Sequence, residues 1–140
     1  GRVHLADGEL DEARRFFNEI IDSRADTDEE VVAGAFLGRG RCLFQAAQGL
    51  QSEGEAELDE VREAYETALL DFLRVHVSYG GVSKEQAESL YLAGVSFLNL
   101  SSFATGAEAN ELKAKGDILL KRCRDGYADS EWATKAAAEQ

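Results

Sequence analysis

The chain of 140 residues contains no proline, no methionine, one tryptophan and only two cysteines. Because no proline interrupts a helix, glycine must provide most of the breaks between helical segments. Cys42 and Cys123 stand far apart and lack a CxxC companion, which excludes a disulfide framework and a cysteine zinc site. We expect both to be small core residues, with a mutual disulfide as the alternative in an exported protein. The lack of methionine, with Gly1 inside a helical pattern, indicates a fragment of a longer protein.

Long apolar runs and positive charge are also scarce. No run approaches the roughly 20 residues of a membrane-spanning helix, so we expect no membrane insertion by this segment. The 15 basic residues are outnumbered by 27 acidic ones, which gives a net charge of −12. Such a surface repels phosphate backbones, so nucleic-acid binding is not expected. The basic residues of 113–124 and the acidic residues of 53–66 are interpreted as solvated helix faces, with partner recognition as the alternative.

Residues that would carry chemistry are few. His4 and His76 are the only histidines, and the chain has no GxSxG, Walker or HExxH motif. Asp22, Asp26 and Asp28 lack the central glycine and closing glutamate of a calcium loop. We therefore predict no catalytic residue, no cofactor and no metal ion, and no enzyme activity. An enzyme remains a third hypothesis, which requires a pocket with convergent titratable groups.

What the chain does contain is helical periodicity, with apolar residues three and four positions apart. No segment alternates with a period of two, so no strand is predicted. Asp7 and Gly8 are expected to turn the chain after a short first helix. The predicted helices cover residues 3–6, 9–24, 27–50, 58–79, 84–100, 105–124 and 131–139.

Several helix ends carry recognisable signals. Capping boxes, in which a Ser or Thr is followed three residues later by Glu or Gln, occur at Thr27–Glu30, Ser83–Gln86 and Thr105–Glu108. Ser130 is expected to cap the last helix. Gly80 and Gly81 are expected to end the predicted helix over 58–79 by supplying a left-handed residue, and Gly126 is expected to end the one over 105–124.

A pattern recurs imperfectly along the chain. A helix of small residues with Leu37-Gly38 or Ala93-Gly94 alternates with a helix in which an aromatic follows Ala or Val by four residues. One such pair cannot bury its own apolar stripe, so the pairs must stack. Because a glycine inside a helix costs about 1 kcal/mol, we expect these glycines to allow neighbouring helices to approach closely.

These residues resemble the tetratricopeptide repeat family. The matching positions are Gly8, Ala13, Phe17, Ile20, Ala33, Leu37, Gly38, Val61, Tyr65, Ala68, Leu69, Ala87, Ala93, Gly94 and Phe97. The resemblance implies one all-α domain over 1–140, with two and a half to three antiparallel helix hairpins stacked as a right-handed solenoid. The glycine steps lie further apart than in the family, which implies longer helices; Arg41 replaces a usual aromatic, and the customary proline is missing. The segment 127–130 before Trp132 is similar to the bacterial envelope subset related to the Tol-Pal accessory factor.

The resemblance also implies a function. In this family the first helix of each pair lines a concave groove that holds partner peptides or helices, and the module acts as a non-catalytic interaction scaffold. The implied lining positions are Val32, Ala35, Arg39 and Cys42 in one helix and Glu88, Tyr91, Val95 and Leu98 in the next. Arg39 and Tyr91 are the residue types that most often dominate binding energy. The alternative is that these side chains only pack against the long helices.

A second hypothesis from another class is a structural spacer or a self-associating segment of a larger envelope protein. A fragment that starts within a repeat exposes an uncapped apolar face, through which terminal repeats of two copies would join. The resemblance implies the bacterial periplasm or cell envelope as the location, with the cytoplasm as the alternative.

Overall fold

A computed structural model of the protein describes residues 7–53, 58–80 and 83–140. Within these ranges the chain forms six α-helices and one 3-10 turn, Arg24–Asp26, without a strand. The helices are α1 (Asp7–Asp22), α2 (Glu29–Glu53), α3 (Leu58–Ser78), α4 (Ser83–Ser101), α5 (Gly106–Gly126) and α6 (Glu131–Ala138). The prediction of an all-α fold is thus confirmed for the described residues. The expected helix at 3–6 lies outside them.

Each helix packs against the next one along the chain, and α4 also contacts both α2 and α6. Along α2 and α3, the ring of Phe36 lies near that of Tyr79, whereas the ring of Phe44 lies near that of Tyr65. The contacts therefore run in opposite order along the two helices, which makes them antiparallel. The same holds for α4 and α5. The Cys123 thiol lies near the Ala87 carbonyl, whereas the earlier Gly116 lies against the later Gly94, so these two helices are antiparallel as well.

The centre of the core is aromatic. The ring centroid of Phe44 lies 5.6 Å from that of Tyr65 and 6.2 Å from that of Phe72, both in edge-on arrangements. Tyr65 and Phe72 are among the largest fully buried side chains. Aromatic pairs in this geometry contribute about 0.5–1.5 kcal/mol beyond the area they bury. Ring packing therefore contributes to the contact between α2 and α3, together with the aliphatic residues of the same core.

The glycines of the repeat pattern do lie against neighbours. A Cβ at Gly38 would overlap the ring of Phe17, and a Cβ at Gly94 would lie 2.8 Å from Leu120. Gly116 faces Gly94 across the α4–α5 contact, so that a Cβ there would lie 2.8 Å from the Gly94 carbonyl oxygen. The expected close approach is confirmed at these positions. It does not explain every glycine of α2, because Gly34 and Gly49 face open space.

The helix ends follow the predicted signals only in part. Ser130 caps α6 as expected, since its hydroxyl accepts a hydrogen bond from the Ala133 amide at 3.2 Å. Thr105 precedes α5 without a side-chain cap bond. The Thr27 hydroxyl donates to the Ser23 carbonyl instead, and α2 begins two residues later. Both of these capping-box predictions are wrong because the side chains bond elsewhere or not at all.

Two further corrections concern α1 and the α3–α4 connection. Asp7 and Gly8 begin α1 rather than turning the chain before it. Gly80 does not adopt a left-handed conformation, and Gly81 lies outside the described residues; among the described glycines only Gly106 has a positive φ, of 60°. The amide of the buried Gln86 donates to the Val75 and Tyr79 carbonyls at 2.7 and 3.0 Å. Gln86 therefore caps the end of α3 with its side-chain amide.

Candidate partner-binding groove

A groove of about 420 Å³ lies along the side where α4 contacts both α2 and α6. We call it the even-helix groove. Its main polar and aromatic lining residues are Arg41, Gln45, Gln48, Glu88, Tyr91, Trp132, Lys135 and Glu139. The groove exists because the successive even-numbered helices α2, α4 and α6 lie side by side, and each contributes side chains to it.

Two aromatic side chains form one wall of the even-helix groove. The Tyr91 and Trp132 ring centroids lie 5.7 Å apart with their planes tilted by 35°. The Lys135 ammonium lies 4.4 Å from the Trp132 ring centroid, within the range of a cation–π contact. The Tyr91 hydroxyl donates to the Glu139 carboxylate at 3.3 Å. These contacts hold two large rings in place before any ligand arrives.

A bidentate ion pair crosses the same groove between α2 and α4. The Arg41 guanidinium donates to both Glu88 carboxylate oxygens, through Nε at 2.5 Å and Nη2 at 2.6 Å. The hydrogen bond to Glu88 raises the pKa of Arg41, against the opposing effect of burial. Planar pairs of this kind add geometric specificity as well as energy. The pair fixes the two helices relative to each other at the mouth of the groove.

The predicted lining residues of α4 are only partly brought together. Tyr91 and Glu88 do line the even-helix groove. Val95 and Leu98 are half-buried and pack against the hydrophobic core, with Leu98 directed at Gly116 of α5. The groove therefore uses the first half of α4, and the second half is taken up by contact with α5.

The predicted positions of α2 fall elsewhere. Val32 and Ala35 are 1% and 2% exposed, and Cys42 is also buried, so these side chains are core residues without an open surface. Arg39 points to the opposite side, where it binds Asp71 of α3. Arg41 is two residues further on, which is about 200° around a helix. The prediction thus named the correct helix, since α2 lines the groove, but it named the wrong side of that helix.

Several groove residues are absent from the predicted set although the sequence carries a signal for them. Arg41, Gln45 and Gln48 are polar, and they are spaced four and three residues apart along one face of α2. Trp132 and Lys135 show a spacing of three in α6. Such polar rows in helices that also carry a full apolar stripe indicate a second, solvated contact face.

Metal ligands do not cluster in the described ranges, where no group of three or more His, Cys, Asp or Glu side chains is placed to hold an ion. His76 bonds to structural neighbours, with Nδ1 lying 3.1 Å from the Gln86 amide oxygen and Nε2 lying 3.4 Å from the Arg122 guanidinium. None of the described helices combines the length and the apolar character needed to cross a membrane.

No protein-family model, curated protein or solved structure matches this chain. A function for it is therefore inferred from the geometry of the groove.

Proposed function

We propose that the protein is a non-catalytic interaction module that binds a peptide segment of a partner protein in the even-helix groove. The observation that carries this proposal is the groove itself, with Tyr91 and Trp132 preset on one wall. Tyrosine, tryptophan and arginine are the residue types enriched where binding energy concentrates. Because the rings already pack against each other, little side-chain freedom is lost on binding.

The arrangement of helices supports a stack of hairpins like that of tetratricopeptide repeats. In such a stack the first helices of successive pairs touch one another, and each second helix packs between its own partner and the next first helix. The helices α2, α4 and α6 have the contacts of first helices, and α3 and α5 have those of second helices. We propose on this basis a right-handed solenoid in which the even-helix groove is the concave face.

The groove favours a peptide over a small molecule. It is open and lined by three helices, with the side-chain amides of Gln45 and Gln48 on α2 and the aromatic rings of Tyr91 and Trp132 on α4 and α6. Amide groups both donate and accept, so they suit the backbone of an extended segment. The rings then accept an apolar side chain of that segment. Partner choice would follow from this pairing of backbone and apolar contacts.

The test starts from affinity capture of partners from a lysate of the source organism, followed by direct binding measurements with the captured partner. Tyr91→Ala and Trp132→Ala should each weaken binding by about tenfold or more, since they remove hot-spot side chains. Thr134→Ala, on an exposed position of α6 outside the groove, is the matched control and should bind like the wild type. Circular dichroism checks that each variant is folded. Equal binding by all three variants would contradict the proposal.

A structural spacer or self-associating segment is the second candidate, and one observation favours it. Phe16 of α1, the first described helix of the stack, is 59% exposed, so its ring is available for contact with a second copy. In this case Phe16→Ala should lower the self-association measured by sedimentation velocity, and Tyr91→Ala should leave it unchanged. A chain that is monomeric at all concentrations excludes the self-association variant of this candidate.

A further inference from the structure

A second groove of about 460 Å³ lies on the other side of α2, between α1 and α3. Three arginines from three different helices border it: Arg14 of α1, Arg39 of α2 and Arg74 of α3. We call it the arginine groove. Its position is notable because the chain carries a net charge of −12, and most of its surface therefore repels anions.

Arg39 is the structural arginine of this groove. Its Nε and Nη2 donate to the two Asp71 oxygens at 2.9 and 2.8 Å, and its Nη1 donates to the Asn18 side chain at 2.9 Å. The hydrogen bond to Asp71 is the main cause that raises the pKa of Arg39. Asp71 is buried, and both of its carboxylate oxygens are bound by Arg39. Arg39 thus joins α1, α2 and α3 and forms the floor of the groove.

The other two arginines keep most of their charge available. Arg74 makes no ion pair with the described residues. Its guanidinium lies 5.6 Å from the centroid of the Phe36 ring, and the Arg39 guanidinium lies near the same ring. Among the residues that the structure describes, Arg14 forms an ion pair with the exposed Asp11 alone, at 3.7 Å. Exposed pairs of that length contribute about 0–1 kcal/mol, so Arg14 can exchange this partner easily. Two guanidinium groups are therefore held beside one groove without a committed carboxylate.

Apolar surface lies next to these charges. Leu70 of α3 is 67% exposed and borders the arginine groove, together with the half-buried Leu43. A ligand that satisfies both features must carry an anionic group and an aliphatic group close to each other. Neighbouring side chains of an acidic, leucine-containing peptide have this spacing, and carboxylates match the fork of an arginine.

We propose that the arginine groove binds an acidic peptide segment of a partner protein, with Asp or Glu beside an aliphatic residue. Arg14 and Arg74 pair with the carboxylates, and Leu70 contacts the aliphatic side chain. This site is separate from the even-helix groove, because the two grooves lie on opposite sides of α2. The protein would thereby hold two segments at once, or two partners.

The experiment uses fluorescence anisotropy with a labelled peptide of alternating Glu and Leu, and a second peptide in which Gln replaces each Glu. The Glu peptide should bind saturably, and its affinity should fall as salt rises, because the contacts are between partly exposed charges. Arg74→Gln and Arg14→Gln should each weaken binding by about tenfold, as expected for arginine hot spots. Leu70→Gln should weaken it as well without changing the charge of the protein.

Arg15→Gln is the matched control, since it removes the same charge from the neighbouring residue of α1, outside the groove. It should bind the Glu peptide like the wild type. Similar losses for Arg14→Gln and Arg15→Gln would mean that only overall charge matters, and would overturn the proposal. So would equal binding of the Gln peptide, or the lack of saturable binding.

Sedimentation velocity of the protein alone tests whether the arginine groove instead binds a second copy of the chain. If the wild type self-associates and Arg74→Gln prevents it, the groove holds a second copy of the chain, and the separate acidic partner is refuted. If Arg74→Gln fails to fold by circular dichroism, the comparison of Arg14→Gln with Arg15→Gln decides the outcome alone.

Discussion

Replacing Gly116 with alanine should destabilise the protein, whereas the same change at Gly49 should stabilise it. Both glycines lie inside long helices, Gly116 in α5 and Gly49 in α2. A Cβ at Gly116 would lie 2.8 Å from the Gly94 carbonyl oxygen and 3.1 Å from Leu98. A Cβ at Gly49 would meet nothing within 4 Å. The pair therefore isolates the effect of the helix contact from the effect of helix propensity.

The magnitudes are set by two opposing terms. Alanine is favoured over glycine inside a helix by about 1 kcal/mol, and this gain applies at both positions. Overpacking a closely packed contact costs about 1–3 kcal/mol. The atom nearest to the new methyl group at Gly116 belongs to the backbone of α4, which cannot turn away as a side chain can, so the upper end of the range applies. We expect Gly116→Ala to lose about 1–2 kcal/mol net.

The assay is urea unfolding followed by circular dichroism, with a thermal scan as a second measure. A loss of about 1 kcal/mol corresponds to a fall of about 3–5 °C in Tm for a chain of this size. Gly94→Ala provides an intermediate case, since its nearest atoms belong to the flexible Leu120 side chain. If Gly116→Ala gains stability as Gly49→Ala does, α4 and α5 do not approach as closely as described, and the reasoning is refuted.

Three further predictions concern ion pairing, capping and pH. Asp71→Ala should lower the free energy of unfolding, measured in urea, by about 1–3 kcal/mol, because the half-buried Arg39 keeps its charge but loses its partner. Ser130→Ala should cost about 1 kcal/mol through loss of the α6 cap, and the emission of Trp132, the only tryptophan, should report the loosening. Burial raises the pKa of the Tyr65 phenol above its usual value of 10.0. The folded state therefore holds this proton to higher pH than the unfolded state, so the free energy of unfolding should fall as pH rises past about 10. A flat profile between about pH 9 and 11 would contradict that assignment.

Helix positions could be predicted well because their signals are local. The expected helix over 58–79 is found at Leu58–Ser78, since its apolar residues recur every three or four positions without a break. The cap at Ser130 is predictable for the same reason, because an N-cap bonds to an amide only three residues away. Stripes and caps of this kind are set by residues close in sequence.

Side-chain bonds between helices could not be predicted in this way. Gln86 has the sequence position of a capping-box residue, but it bonds to α3 because the end of that helix lies within reach. The resemblance places Arg39 in the partner groove, whereas the structure pairs it with Asp71 on another helix. Such choices depend on how one helix is rotated about its axis against the next. Periodicity gives the apolar side of a helix but not which neighbour each polar residue meets.

The neighbour-by-neighbour packing of α1 to α6 has a mechanical consequence. Because the main contacts join helices that are adjacent or nearly adjacent in the chain, a force applied to the two ends loads these contacts in sequence and not together. We expect the chain to extend in steps as the terminal helices detach one after another. When the force is released, the helices should repack quickly, because contacts that are local in sequence form fast.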